Sequence, residues 1–308
     1  MSDILVTEAI TGREMDALKS GFSVVYEPEL WKSPDRIKQM LSEFRAIIVR
    51  NQTPVNAHLI GAGKQLRVIG RAGVGLDNVD AKTASEAGIV VVFAPEQNSI
   101  SVAELAIGLM LSLARDIPIA DRSAKGGAWD RKRFMGGVEL YGKTLGVVGL
   151  GRIGFLTAMR ARGLGMNIIA HDTFVNPDSF MVSECRAQLV SLDELYERSD
   201  FITCHTPETP QTIGMFNDAA FSKMKKSAYF INTSRGKVVD EDALVRALKE
   251  KKIAGAALDV RAKEPPAPSP LMEMDNVILL PHIAAFTQEG QTRVVTSVCK
   301  DIAAMLRG

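Results

Sequence analysis

Short apolar runs rich in β-branched residues alternate with helix-patterned segments along the whole of this 308-residue chain, and that alternation limits its fold more than any other feature. Strands separated by helices pair in parallel, and a parallel sheet needs cover on both faces. The first third holds five such runs, at 4–7, 23–26, 46–49, 67–70 and 89–93, with a helix over 78–87 that Gly88 ends. A second series starts near Thr144, with runs at 145–148, 167–170, 201–204, 228–232, 255–259 and 277–280. Six parallel strands with intervening helices make a doubly wound sheet of the Rossmann type. The class is therefore α/β with two lobes.

Between the two series runs a long helix opened by Ser101-Val102-Ala103-Glu104, which fits the capping-box pattern. It is apolar on nearly every side, so it is expected to be buried, in the core or against a second subunit; periodicity does not separate the two. The segment 287–308 is helical in pattern through Val294, Val298, Ile302 and Met305. Coming after the sixth strand of the second series, it is expected to cross back to the first lobe. The expected domains are 1–98 with 285–308, a discontinuous cap, and 99–284. The Pro-rich stretch 264–270 reads as an ordered loop between core strands.

Composition narrows the partners. A net charge of +1 gives no reason to expect a nucleic acid, so any anion selectivity has to come from locally placed arginines. The three cysteines lie far apart without a CxxC pair, which argues against a disulfide framework or a metal site and fits a reducing compartment. The N-terminus lacks the basic and apolar regions of a secretory signal, and the most apolar stretch, 102–114, is shorter than the roughly 20 residues of a membrane span. A cytoplasmic protein without a membrane partner is expected.

Gly149-Leu150-Gly151-Arg152-Ile153-Gly154 follows a strand and opens a helix. Alone, GxGxxG is weak evidence, because glycines are common in turns. Here an acidic residue, Asp172, arrives 23 residues after Gly149, close to the ~20 expected of a ribose-binding carboxylate. The glycines let backbone approach a pyrophosphate at the helix N-terminus. Asp172 can accept from ribose hydroxyls and would repel a 2′-phosphate, so the cofactor is NAD rather than NADP. About 140 residues precede this loop, which leaves a complete leading lobe available on the substrate side.

In a doubly wound sheet ligands bind beyond the C-terminal strand ends. The polar residues there are His205-Thr206-Pro207, Ser234-Arg235-Gly236, Asp259 and Pro281-His282. A lone histidine is most often a satisfied structural residue. Beside a nicotinamide the balance reverses, because taking hydride from an alcohol carbon requires a base for the hydroxyl proton. His282 is the candidate, and His205-Thr206-Pro207 reads as cofactor lining. Arg235 suits a carboxylate or a polarised carbonyl, since its planar fork makes paired charge-assisted bonds. A carboxylate such as Glu264 against His282 would hold its tautomer and stabilise the imidazolium, although spacing does not bring the two together.

These residues resemble the D-2-hydroxyacid dehydrogenase family over nearly the whole chain. The resemblance rests on Gly73-Val74-Gly75-Leu76-Asp77-Asn78, the glycine loop, Asn232-Thr233-Ser234-Arg235-Gly236, Ala257-Leu258-Asp259-Val260 with Glu264-Pro265, and Pro281-His282-Ile283. It implies a flavodoxin-like substrate lobe beside the Rossmann NAD-binding domain, and a homodimer. It implies a catalytic trio of Arg235, Glu264 and His282, and NAD contacts at Arg152-Ile153, Asp172, Thr206, Ser234 and Asp259. Val49-Arg50-Asn51, Gly70-Arg71-Ala72-Gly73 and the stretch 129–136 resemble the branch that oxidises D-3-phosphoglycerate. There, arginines matching Arg50 and Arg71 face the distal phosphate, and backbone matching Val74-Gly75 binds the carboxylate. The chain leaves no room for the regulatory domain of longer members, so feedback through such a domain is not expected.

The chain departs from the family pattern at Val74, where many phosphoglycerate enzymes have Thr, at Arg261, where an aromatic is usual, and at Ala284-Ala285-Phe286, which replaces a small-residue segment. Sulfolactate dehydrogenases and glyoxylate or hydroxypyruvate reductases are therefore alternatives of the same chemistry. An NADH-sensing scaffold, to which the catalytic trio would be superfluous, is the alternative of another kind.

Overall fold

A computed structural model describes residues 2–308. It divides into two compact units, one formed by the chain through Asn98 together with Phe286–Gly308, the other by Ser99–Ala285.

The first unit carries a five-stranded parallel sheet of β1 (Ser2–Val6), β2 (Val24–Tyr26), β3 (Phe44–Val49), β4 (Val68–Arg71) and β5 (Val90–Phe93), in the order β2-β1-β3-β4-β5. Side chains along a strand alternate between faces, and here both faces are apolar. Ile4, Val6, Ala46, Ile48 and Val68 join one buried cluster, while Leu5, Ile47, Val49 and Ile69 join the other. The first cluster is completed by the helix Gln288–Arg307 through Val294, Val298, Ile302 and Leu306. A Cβ placed on Gly70 would stand 2.3 Å from Ile302 Cδ1, so the helix lies directly on β4. Met305, expected on this stripe, is exposed, and Leu306 takes its place.

The second unit carries seven parallel strands: β6 (Thr144–Val148), β7 (Asn167–His171), β8 (Gln188–Leu189), β9 (Phe201–Cys204), β10 (Tyr229–Asn232), β11 (Gly255–Leu258) and β12 (Val277–Leu279). Their order is β12-β11-β10-β9-β6-β7-β8, and the two-residue β8 was not anticipated from sequence. The order reverses beside β6, so the crevice of a doubly wound sheet opens beyond the ends of β6 and β9. The glycine loop and residues 205–207 follow those two strands.

Two helix starts differ from expectation. The helix read over 78–87 is Ala81–Glu86, because Asp80 caps it by accepting from the Thr83 N–H at 3.0 Å. The long helix is Ser99–Ala114, so Ser101 and Glu104 lie inside it and form no capping box. Ser101 is buried, and Glu104 instead pairs with Arg160 at 3.1 Å. Among the described residues no helix is long and apolar enough to cross a membrane.

Candidate active site

The loop after β6 shows three glycines with three different tasks. Gly149 has φ 91°, a conformation that L side chains rarely adopt. Gly154 lies so close to the preceding turn that a Cβ there would meet the Gly149 carbonyl oxygen at 2.1 Å. At Gly151 a Cβ would meet nothing within 4 Å. Gly151 is the N-cap of the helix Arg152–Gly163 and makes no side-chain cap bond, so the first-turn amides are not taken up by a cap side chain. Backbone donors beside open space are what a pyrophosphate requires, and the loop fits NAD on that ground.

Asp172 follows β7, and its carboxylate accepts three backbone N–H groups, from Leu150 at 2.8 Å, Phe174 at 2.8 Å and Val175 at 3.1 Å. A carboxylate has roughly four lone-pair sites, so about one remains for a ribose hydroxyl. Asp172 thus ties the glycine loop to the end of β7 as well as offering an acceptor. After β9, the Thr206 hydroxyl lies 3.3 Å from Cys204 Sγ, and Pro207 is exposed. His205 Nε2 lies 3.0 Å from Thr203 Oγ1 while its buried Nδ1 has no partner, and burial pulls its pKa down to about 3. An imidazole held neutral in this way lines the strand end and is a poor proton carrier near neutral pH.

Asn232, wholly buried at the end of β10, shapes the turn that presents Arg235. Its Oδ1 accepts from Ser234 N at 3.0 Å and Ser234 Oγ at 2.9 Å, and its Nδ2 donates to the Arg235 carbonyl at 2.9 Å. Arg235 Nη1 in turn donates to the Ser234 carbonyl at 2.9 Å.

Beyond β11 and β12 the structure brings together two residues that spacing could not. His282 Nδ1 lies 2.7 Å from Glu264 Oε2, both side chains being partly exposed. A carboxylate only accepts, so Nδ1 carries the proton and the neutral ring presents its Nε2 lone pair. His282 has φ 57°, an uncommon conformation for a non-glycine residue. Asp259 holds the turn there, since its backbone carbonyl accepts from His282 N at 2.8 Å. Its side chain, 1% exposed, accepts from Ile283 N at 2.8 Å and Ala284 N at 2.9 Å. Asp259, which sequence reading placed against the cofactor, thus anchors the histidine segment through its carboxylate.

Arg50, Arg71, Val74 and Gly75 belong to the first unit. Buried Glu8, which sequence reading missed, clamps the Arg50 loop by accepting from Arg50 N at 2.8 Å, Gln52 N at 3.0 Å and Thr53 N at 3.0 Å. The Arg50 guanidinium reaches Gln291 Oε1 at 2.5 Å and stands 5.7 Å from the centre of the Phe286 ring. Arg71 ends β4 and lies over Gly73, where a Cβ would be 1.3 Å from Arg71 Nη1.

With the geometry in view, comparisons with known proteins supply the family. The chain is 48% identical over 307 residues to a D-3-phosphoglycerate dehydrogenase of Archaeoglobus fulgidus, covering 99% of this chain and 57% of that protein. It thus spans little more than half the length of such curated relatives. Among solved structures, the TT0316 protein from Thermus thermophilus matches with a TM-score of 0.92 and 32% identity, over 99% of this chain and 97% of that one. The D-lactate dehydrogenase of Aquifex aeolicus, solved with NAD and lactic acid, matches with a TM-score of 0.85 and 30% identity, over 99% and 96% of the two chains. The profile "D-isomer specific 2-hydroxyacid dehydrogenase, NAD binding domain" matches residues 107–284, more than half of the sequence, and the chain therefore belongs to the D-isomer specific 2-hydroxyacid dehydrogenases.

Proposed function

We propose that this protein interconverts D-3-phosphoglycerate and 3-phosphohydroxypyruvate with NAD, using His282 as the acid/base. The observation that carries the reading is the 2.7 Å contact between His282 Nδ1 and Glu264 Oε2, which commits Nδ1 and leaves Nε2 for a substrate hydroxyl. In the oxidising direction Nε2 accepts the C2 hydroxyl proton as the C–O bond becomes a carbonyl. The Glu264 carboxylate stabilises the resulting imidazolium, which then releases its proton to water. NAD, when bound, supplies the two-electron acceptor for the C2 hydride. The chain would hold it through Gly149, Gly151, Arg152, Ile153 and Gly154, with Asp172 at the ribose and His205, Thr206, Pro207, Ser234 and Asp259 along the strand ends; Asp259 also braces the histidine turn. Arg235 takes the carboxylate and the polarised C2 oxygen.

Arg50 and Arg71 take the distal phosphate, and Val74-Gly75 the carboxylate through backbone. Two arginines beyond Arg235 suit a dianion, and the phosphoglycerate names of the curated relatives favour this substrate over a sulfonate or an uncharged keto acid. We further read the protein as a cytoplasmic homodimer in serine biosynthesis. Exposed Ile100 and Leu111 on the helix Ser99–Ala114 support a subunit contact, and three free cysteines support a reducing compartment.

The test is NADH oxidation with 3-phosphohydroxypyruvate, sulfopyruvate, hydroxypyruvate and glyoxylate, compared by kcat/KM. The phosphorylated acid should lead by about a hundredfold, roughly 2.7 kcal/mol of transition-state discrimination. Arg50→Ala and Arg71→Ala should each remove most of that lead. A lead for sulfopyruvate or glyoxylate, or a lead that survives both changes, would overturn the phosphate reading. Absence of turnover with every acid would leave only a sensing role.

A further inference from the structure

Arg261 is one of the positions at which the sequence departs from the pattern it otherwise resembles, and its surroundings show what a charge does there. Its side chain is only 6% exposed and makes a bidentate pair with Glu241, Nε to Oε1 at 3.1 Å and Nη2 to Oε2 at 2.6 Å. The same Glu241 Oε1 accepts the Ala262 N–H at 2.8 Å. Glu241 sits in the first turn of the helix Glu241–Lys249, whose N-cap Asp240 accepts from Ala243 N at 3.0 Å. From the other side Gly236, next to Arg235, packs so closely that a Cβ would stand 2.0 Å from the Arg261 carbonyl. The backbone at Arg261 is therefore fixed on two sides.

That backbone meets the acid/base pair. The Arg261 N–H donates to Glu264 Oε1 at 3.0 Å, while Glu264 Oε2 faces His282 Nδ1 at 2.7 Å. With one oxygen pinned by a rigid amide, the carboxylate plane is set and the other oxygen is aimed at the ring. We propose that the Glu241–Arg261 ion pair is a positioning device that fixes the orientation of Glu264 and, through it, the tautomer and aim of His282. Neither residue touches substrate; both act through Glu264. Burial would raise the pKa of Glu241, but the Arg261 fork and the Ala262 amide outweigh it and hold the carboxyl below its ordinary value, so the pair stays ionised. A bidentate pair with its arginine buried fixes one geometry rather than merely filling space.

The inference rests on the acid/base reading of His282 and Glu264, and the experiment separates the two. Steady-state rates of NADH oxidation with 3-phosphohydroxypyruvate are compared for Arg261→Ala, Glu241→Gln, Glu264→Gln, His282→Gln and the double variants. Misaligning a reacting group by a fraction of an ångström costs rate steeply, so Arg261→Ala should lower kcat about tenfold or more while the KM for NADH stays within about twofold. Glu241→Gln should act in the same direction. In the Glu264→Gln background, Arg261→Ala should cost less than about twofold, because the group it positions is already gone. The pH limb of kcat/KM set by His282 should move in Arg261→Ala toward that of Glu264→Gln. An Arg261→Ala enzyme within twofold of the parent, or an equal loss in both backgrounds, overturns the proposal. Should Arg261→Ala fail to fold, Glu241→Gln carries the same cycle. Unchanged turnover in Glu264→Gln and His282→Gln would instead sink the acid/base reading itself.

Discussion

Gly151 and Gly154 stand three residues apart in one loop, yet a methyl group would act on them in opposite ways. At Gly154 it would strike the Gly149 carbonyl oxygen at 2.1 Å, a backbone atom that cannot swing aside. Gly154→Ala should therefore destabilise the fold by about 1–3 kcal/mol, read as a lower Tm. At Gly151 the methyl group would enter open space. Gly151→Ala should leave Tm within a degree or two of the parent but weaken NADH binding by about tenfold or more, as titration of NADH fluorescence would show. An alanine there that binds NADH normally would mean that this glycine does not face the pyrophosphate. Both positions are legible in the sequence because the loop is local: six residues, a strand before and a helix after. The His282–Glu264 contact spans 18 residues and the Arg261–Glu241 pair 20, so no spacing rule reaches them. Arg261 could be singled out only as a charge where an aromatic is usual. Its partner had to be seen.

Among the elements, Gln288–Arg307 shows how far a pattern carries. Positions 294, 298 and 302 repeat every four residues, and each is buried in the core of the first unit. Leu306 continues the same spacing of four and faces inward, whereas Met305, only three residues past Ile302, is exposed. Ile302, wholly buried against β4, should cost about 2–5 kcal/mol when cut to alanine. Hydrogen-exchange mass spectrometry should find faster exchange in peptides from β1, β3 and β4; unchanged protection there would show that the helix does not complete that core. The capping motif read at Ser101–Glu104 failed for a different physical reason. Two polar residues three apart can cap a helix or face separate neighbours inside one, and here Ser101 is buried while Glu104 meets Arg160. The strands were legible because both sheets are apolar on both faces. β8, with two residues, is too short to leave a pattern.

At the scale of the whole molecule, a buried imidazole makes the fold sensitive to mild acid. His205 is held near 3 by burial against an ordinary 6.5, so the unfolded chain takes up a proton that the native state refuses. With the folded value depressed, its contribution is complete above pH 6.5 and declines as pH falls toward 3, by on the order of 1 kcal/mol per pH unit. Burial also opposes ionisation of Asp200, but the Thr144 amide and Lys225 outweigh it and keep the carboxyl below 3.8; that contribution is lost only in stronger acid. Tm should therefore begin to fall below pH 6.5, before the carboxylates titrate, and His205→Gln should flatten that upper part of the curve. A variant with an unchanged slope would mean that the native imidazole accepts the proton after all.

The discontinuity of the first unit also bears on how the molecule is made. Its sheet is synthesised early, but the apolar face of Ile4, Val6, Val68 and Gly70 waits for Val294, Val298 and Ile302. At about 5–20 residues per second, the roughly 200 residues in between take on the order of 10–40 s to emerge from the ribosome. For that interval the lobe begun first is the one still unfinished, its apolar surface open, while the second lobe can already close on its own core. The nascent chain is thus in most need of chaperone cover at the end that has been longest in solution.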